Sequence, residues 1–358
     1  MTTSDHSAAT TGDAVQRYER HVLIIGAGGY IGPVITRSLL QEGYAVRAFD
    51  AFLYGTQTVL SGFLGTPGFD IMYGDHCDTD AVERALAGIT DVVILSGLVG
   101  DPITKKYPGE SDAINNTGML RLVGQLNGHG LRQVIFVSTC SNYGLIKADE
   151  LADENFRLQP LSLYAKAKVA MEQAILDPAN KPDYRPTVLR FATAFGLAPR
   201  MRFDLTISEF VRDMYLGREL VVYDADTWRP YCHVRDFAEV ISRVFAAPEK
   251  DVAFEVFNAG GTVNNYTKRM IVEAIQESLP DAPVTYQAAG PDPRNYRVDF
   301  AKIQNRLGFE PRYTVRDGIA ELIGAFRQNM FPHVDTSRNF HGNYEIDYTP
   351  APGDKADA

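Results

Sequence analysis

Cysteine is scarce in this chain of 358 residues: Cys77, Cys140 and Cys232 are the only three, odd in number and far apart. That excludes a disulfide framework, lacks the paired spacing of a zinc site, and suits a reducing compartment, so a cytoplasmic location is expected. Long apolar runs are missing as well. None approaches the roughly 20 residues that a bilayer-spanning helix needs, and the polar stretch from Met1 to Gln16 does not have the charged-then-apolar order of a secretory signal. No membrane partner is expected, and residues 1–17 read as a disordered leader. Positive charge is in deficit, with a formal net charge of -10. Nucleic-acid capture by clustered Lys and Arg is therefore disfavoured, Lys105-Lys106 reads as a solvated pair, and any bound anion must be held by local groups. The histidines His76, His129, His233, His333 and His341 show no paired spacing either, so no metal is expected and His233 reads as structural.

What the chain does have is apolar content, 45% against 22% charged, enough to bury a full core. Its rhythm is strand and helix in alternation. The run His21 to Ile25 ends in Gly26, a helical pattern follows from Tyr30 to Glu42, and a second apolar run spans Ala45 to Phe49. Further strands are expected near Phe69 to Tyr73, Asp91 to Leu95, Gln133 to Ser138 and Thr187 to Phe191, with helices near Thr79 to Ala87, Ser111 to Gly128 and Ser162 to Leu176. Continuous apolar runs suit strands covered on both faces. The expected fold is α/β, a Rossmann-type doubly wound parallel sheet over 18–192 with later returns of the chain. A smaller mixed α/β lobe is expected over 193–330, and 331–358 reads as a C-terminal arm or tail.

Gly26, Gly29 and Gly32 fall between the first strand and the first helix, where glycine permits a tight turn and close approach of backbone to a pyrophosphate. Tyr30 and Ile31 belong to the same loop, and the helix N-terminus offers free N–H groups to the anion. Asp50, closing the second strand, stands where a carboxylate accepts hydrogen bonds from an adenosine ribose and repels a 2′-phosphate, so the expected cofactor is NAD rather than NADP. Asp75 and His76 stand where they reach the adenine edge; the alternative for Asp75 is a helix cap.

Tyr164-x-x-x-Lys168, preceded by Pro160 and Ser162, places a phenol and an ammonium on one helix face, where the charge lowers the phenol pKa and makes Tyr164 a general base for a hydroxyl. The glycine spacing, this pair and their order resemble the extended short-chain dehydrogenase/reductase (NAD-dependent epimerase/dehydratase) family, nearest to its bacterial nucleotide-sugar 4-epimerases and GDP-heptose 4-dehydrogenase-like enzymes. The resemblance runs from about residue 20 to 328. It implies that Thr139, in Ser138-Thr139-Cys140-Ser141, holds the reacting hydroxyl, that Ser96 and Gly97 lie beside the cofactor, and that Asn115 is the central-helix asparagine. Cys140, Ser141, Thr193, Asp204 and Leu205 then belong to the substrate side. So does Arg229, which looks like the arginine that grips a nucleotide sugar's diphosphate.

Two departures matter. Where dehydrating members carry Asp and Glu, this chain has Cys140 and Ser141, which argues against 4,6-dehydration; a thiol could act as acid or base, or simply pack. Ala289 stands where a second arginine is usual, and Arg294 or Arg297 is expected to compensate. The implied activity is NAD-dependent oxidation of a sugar hydroxyl, at C4, with a 4-epimerase or 4-dehydrogenase outcome. Dehydratase or 3/5-epimerase chemistry is the alternative, and a non-catalytic dinucleotide-sensing regulator a further one. The implied assembly is a homodimer through the helices near 111–128 and 162–176.

Overall fold

A computed structural model of the chain describes residues 18–147, 150–288, 290, 292 and 294–349. The leader read at 1–17 and the Ala289 position lie outside the described residues. Twelve strands are formed among the described residues: β1 (His21–Ile25), β2 (Ala45–Asp50), β3 (Phe69–Tyr73), β4 (Asp91–Ile94), β5 (Gln133–Thr139), β6 (Arg185–Phe191), β7 (Thr193–Phe195), β8 (Leu220–Tyr223), β9 (Trp228–His233), β10 (Glu255–Ala259), β11 (Asn265–Thr267) and β12 (Val284–Gln287). Seven of them make one parallel sheet in the order β10-β6-β5-β4-β1-β2-β3. The order reverses direction between β1 and β4, and the crevice beyond the carboxyl ends of those strands is where an open α/β sheet binds its ligand.

The strands read from apolar runs are the buried ones: Val22 to Ile25, Val92 to Ile94 and Val134 to Phe136 are covered on both faces by separate apolar layers. β3 departs from that pattern because it is the sheet edge, leaving Ile71 and Tyr73 exposed. The sheet's far edge is β10, contributed by a return of the chain from beyond residue 250.

The continuous helix expected over 111–128 is broken into Pro108–Asp112, a wide π turn at Ala113–Gly118, and Met119–Gln125. The extra residue in that turn accompanies a side-chain bond: Asn115 accepts the Leu98 N–H at 2.7 Å and donates to the Leu98 carbonyl at 3.0 Å. The smaller lobe has its own core, in which Phe195, Met201, Phe203, Val211, Ile271 and Leu322 are buried, under short sheets β11-β9-β7 and β12-β8. Among the described residues, no helix is long and apolar enough to cross a membrane, and all three cysteines are buried and in no disulfide.

Candidate active site

A cleft of about 460 Å³ runs from the carboxyl ends of β1, β2 and β4 to the smaller lobe. Gly26, Gly29, Tyr30, Ile31, Gly32, Asp50, Asp75, His76, Ser96, Gly97, Thr139, Ser141, Tyr164, Thr193, Asp204, Leu205, Arg229 and Arg294 all line it. Gly26 has φ +93°, and a side chain there would meet the Ser96 backbone at 2.6 Å, so two strand ends close on it. Gly29 differs. A Cβ at Gly29 would meet nothing nearer than the Gly26 carbonyl at 3.5 Å, so the packing around the loop leaves the Gly29 face open.

Asp50 is tied to the loop it serves: one oxygen accepts the Gly28 N–H at 2.8 Å and the other the Phe52 N–H at 2.6 Å. Burial pushes its pKa up, against the pull of those two N–H groups. Asp75 caps the Cys77 N–H at 2.9 Å and not the following helix, which Asp78 caps. His76 places Nε2 against the Ile114 carbonyl at 3.0 Å. Asp75, His76 and Cys77 are the one group of adjacent metal-type ligand atoms among the described residues; these contacts hold them in the β3–helix turn.

At the other end of the sheet, Thr139 accepts the Ser141 N–H at 3.1 Å, and Ser162 caps the helix Leu163–Leu176 that carries Tyr164 and Lys168. The structure does not show Lys168 lowering the Tyr164 pKa. Burial pushes the phenol well up, with Arg202 and Arg294 opposing and Asp101 and Tyr296 adding to the rise. The Lys168 ammonium is turned beneath the cleft, donating to the Val137 carbonyl at 2.9 Å and 5.9 Å from the Tyr164 ring centroid. Burial lowers its own pKa to about 8.

Besides Lys168, three expected site residues do not line the cleft. Cys140 is fully buried, its thiol donating to the Arg190 carbonyl at 3.0 Å, and does not line the cleft. Burial pushes that thiol far above its ordinary pKa. Asn115 reaches the Leu98 backbone rather than the cleft, and so acts on the Ser96–Gly97 turn from behind. Arg297 stacks on the Trp228 ring at 5.3 Å and is absent from the cleft wall, leaving Arg294 as the cation of the pair.

Arg229 is 6% exposed, donates to the Trp228 and Arg294 carbonyls and pairs with Asp292 at 3.1 Å. Arg294 bridges Asp292 (2.8 Å) and Asp101 (2.9 Å) and reaches Ser141 Oγ at 3.3 Å. Lys268, Arg200, Arg202 and Tyr296 also face the cleft and were not assigned there from the sequence, although all four lie within the span of the noted resemblance.

Residues 22–260 match the NAD dependent epimerase/dehydratase family. The chain belongs to this family. It is 27% identical over 320 residues to the dTDP-glucose 4,6-dehydratase of Streptomyces griseus, covering 86% of this chain and 94% of that one. It is 27% identical over 327 residues to the UDP-glucose 4-epimerase of Corynebacterium glutamicum, covering 85% and 95%. The solved structure of MoeE5 in complex with UDP-glucose and NAD superposes with a TM-score of 0.75 at 26% identity, over 87% and 99% of the two chains. This epimerase/dehydratase-family protein is thus an NAD-dependent enzyme, and its cleft suits the cofactor. The Ser96 and Tyr54 hydroxyls are buried in the cleft wall with no hydrogen-bond partner among the described residues. With the open Gly29 face and the Asp50 carboxylate they form a donor and acceptor set that a dinucleotide completes.

Proposed function

We propose that the enzyme oxidises a hydroxyl, at C4, of the sugar of a nucleotide-diphosphate sugar, with a 4-epimerase or 4-dehydrogenase outcome. The observation that carries this reading is the cleft wall formed by Thr139, Ser141 and Tyr164, from which the Cys140 thiol is turned away. Tyr164 takes the hydroxyl proton, Thr139 holds the same oxygen, and Lys168 steadies the charge from below. NAD, when bound, accepts the hydride and brings a positive charge that offsets the burial of the phenolate. Gly26, Gly29, Tyr30, Ile31, Gly32 and Asp50 hold the cofactor's pyrophosphate and ribose, with Asp75, His76, Ser96 and Gly97 at its flanks. On the opposite side, Arg229, Arg294 and Lys268 form the cationic end for the substrate's diphosphate, and Thr193, Asp204 and Leu205 border the sugar. The two positions that follow Thr139, Cys140 and Ser141, carry no carboxylate to drive elimination of water.

The test is mass analysis of nucleotide sugars incubated with enzyme in deuterated water, with and without added NAD. An epimerase returns an isomer of unchanged mass and needs no added NAD; a dehydrogenase yields a ketose with stoichiometric NADH. A dehydrated product carrying solvent deuterium would overturn the reading. The proposed homodimer is supported by Leu120 and Leu163, large apolar side chains left 49% and 46% exposed on the two helices expected to pair. Light scattering that reports a monomer at micromolar concentration counts against it.

A further inference from the structure

The segment following residue 330 read from the sequence as an arm or tail. Over residues 331–349 it is an arm, with turns at 332–342 and irregular chain at 343–349, that packs against the cleft. Its anchor is Arg200, 2% exposed, in the loop that opens the smaller lobe. Arg200 donates from Nε to the Phe340 carbonyl at 3.0 Å, and from Nη2 to the Gly342 carbonyl at 3.1 Å and Asn343 Oδ1 at 2.8 Å. Its guanidinium lies 4.4 Å from the centroid of the Tyr54 ring. The Phe203 N–H adds a bond to the His341 carbonyl at 2.8 Å.

The same segment then crosses to the nucleotide domain. Asn343 Nδ2 donates to the Val99 carbonyl at 2.8 Å, Glu345 pairs with Lys106 at 3.0 Å, and Ile346 and Tyr348 pack on Cys77, Leu98, Ile103 and Ile114. Asn339 closes the turn on itself, accepting the Glu345 N–H at 2.9 Å and donating to the Glu345 carbonyl at 2.9 Å. Asn343 and Tyr348 line the same cleft as Asp50, Asp75 and His76. Tyr348 has its hydroxyl buried beside the Cys77 thiol and the Asp75 carboxyl.

We propose that residues 339–349 are a strap belonging to the dinucleotide site: they roof the adenosine half of NAD, with Tyr348 and Asn343 as walls and Arg200 as the latch, and must detach for NAD to leave. The proposal rests on NAD occupying the cleft as read above. A strap tied to both lobes slows release without adding a group to the chemistry, because release requires breaking its bonds to Arg200, Val99 and Lys106 together. A retained cofactor suits a reaction in which the hydride taken from the sugar is returned to it.

The strap is tested on the full chain by stopped-flow release of NADH, followed by its fluorescence with excess ADP-ribose as trap. Asn343→Ala and Tyr348→Ala are expected to release NADH about tenfold faster than wild type. Hydrogen exchange supplies an independent reading that needs no variant, since peptides covering 339–349 should gain protection when NAD is added. Release within about twofold of wild type in folded variants overturns the strap. So does exchange of those peptides that NAD leaves unchanged, which decides the matter if either variant fails to fold. Wild-type protein that binds no NADH at all overturns the cofactor assignment itself, a result distinct from both.

Discussion

The Lys168 ammonium donates to the Val137 carbonyl at 2.9 Å, one helical turn before the buried Glu172. Glu172 is itself spent on Arg190, at 2.6 Å, and on Ser138 and Asn142, so it compensates Lys168 only through space. The amine therefore carries an uncompensated burial cost, seen as a pKa lowered from 10.5 to about 8. Below pH 8 both folded and unfolded chains hold the proton and the cost is felt in full, up to about 3 kcal/mol. Between about 8 and 10.5 only the unfolded chain holds it, so folding stability rises with pH in that window. Lys168→Met removes this dependence. Urea unfolding of both proteins at pH 7.5 and pH 10 should show wild type gaining on the variant; equal differences at the two pH values would refute the burial argument.

Tyr164 touches the cleft but bonds no part of the glycine loop, so Tyr164→Phe should remove proton transfer and little else. Turnover is expected to fall by about two to four orders of magnitude, with NAD affinity by calorimetry within about twofold of wild type. Retention of more than a few per cent of activity would show that another group takes the proton.

Asp50 offers both carboxylate oxygens to backbone N–H groups while facing the cleft. A 2′-phosphate would bring two negative charges against a carboxylate that burial already disfavours. NADP is accordingly expected to bind at least about tenfold more weakly than NAD, and Asp50→Asn to narrow that gap while weakening NAD. Equal or tighter NADP binding by the wild type, measured calorimetrically, would remove Asp50 from the selection.

The parts of the site that could be read from the sequence are those built by neighbours in the chain. The glycine spacing, Asp50 at the end of β2 and the Tyr164–Lys168 turn all follow from local geometry, as does the parallel sheet from its apolar runs. The contacts between Arg200 and the strap join residues about 140 positions apart, and no local pattern marks such a pairing. The polar segment 331–349 read as an arm or tail because its cohesion comes from side chains elsewhere. The choice between Arg294 and Arg297 failed to resolve for a related reason: three residues apart in an irregular segment, they diverge to Asp292 and Trp228, and only tertiary packing decides which faces the cleft.

Arg229 is held by Asp292 and by the Trp228 and Arg294 carbonyls; its removal leaves Asp292 to Arg294 alone and takes a donor from each carbonyl, of which Trp228 keeps the Tyr296 N–H. Arg229→Ala should cost about 1–2 kcal/mol of stability from the lost hydrogen bonds and raise the Michaelis constant for the nucleotide sugar by about tenfold or more. NAD affinity should hardly change. A variant that melts like wild type but binds NAD weakly would place this arginine with the cofactor.

Cys140 decides between elimination and simple oxidation. Its thiol bonds the Arg190 carbonyl and lines no part of the cleft, and burial holds it far above its ordinary pKa, so it is placed neither to give up a proton readily nor to touch a sugar in the cleft. Cys140→Ala deletes one buried sulfur and one weak hydrogen bond, expected to cost about 1–2 kcal/mol of stability from the small cavity. Turnover per folded molecule should stay within about twofold, with an unchanged pH profile. If the thiol were the acid or base of a dehydration, the same substitution would abolish product formation while leaving the burst of sugar oxidation intact. Single-turnover absorbance at the reduced nicotinamide, followed alongside product mass, separates these outcomes. Loss of product with a preserved burst would make the enzyme a dehydratase whose Cys140 leaves the Arg190 carbonyl during turnover.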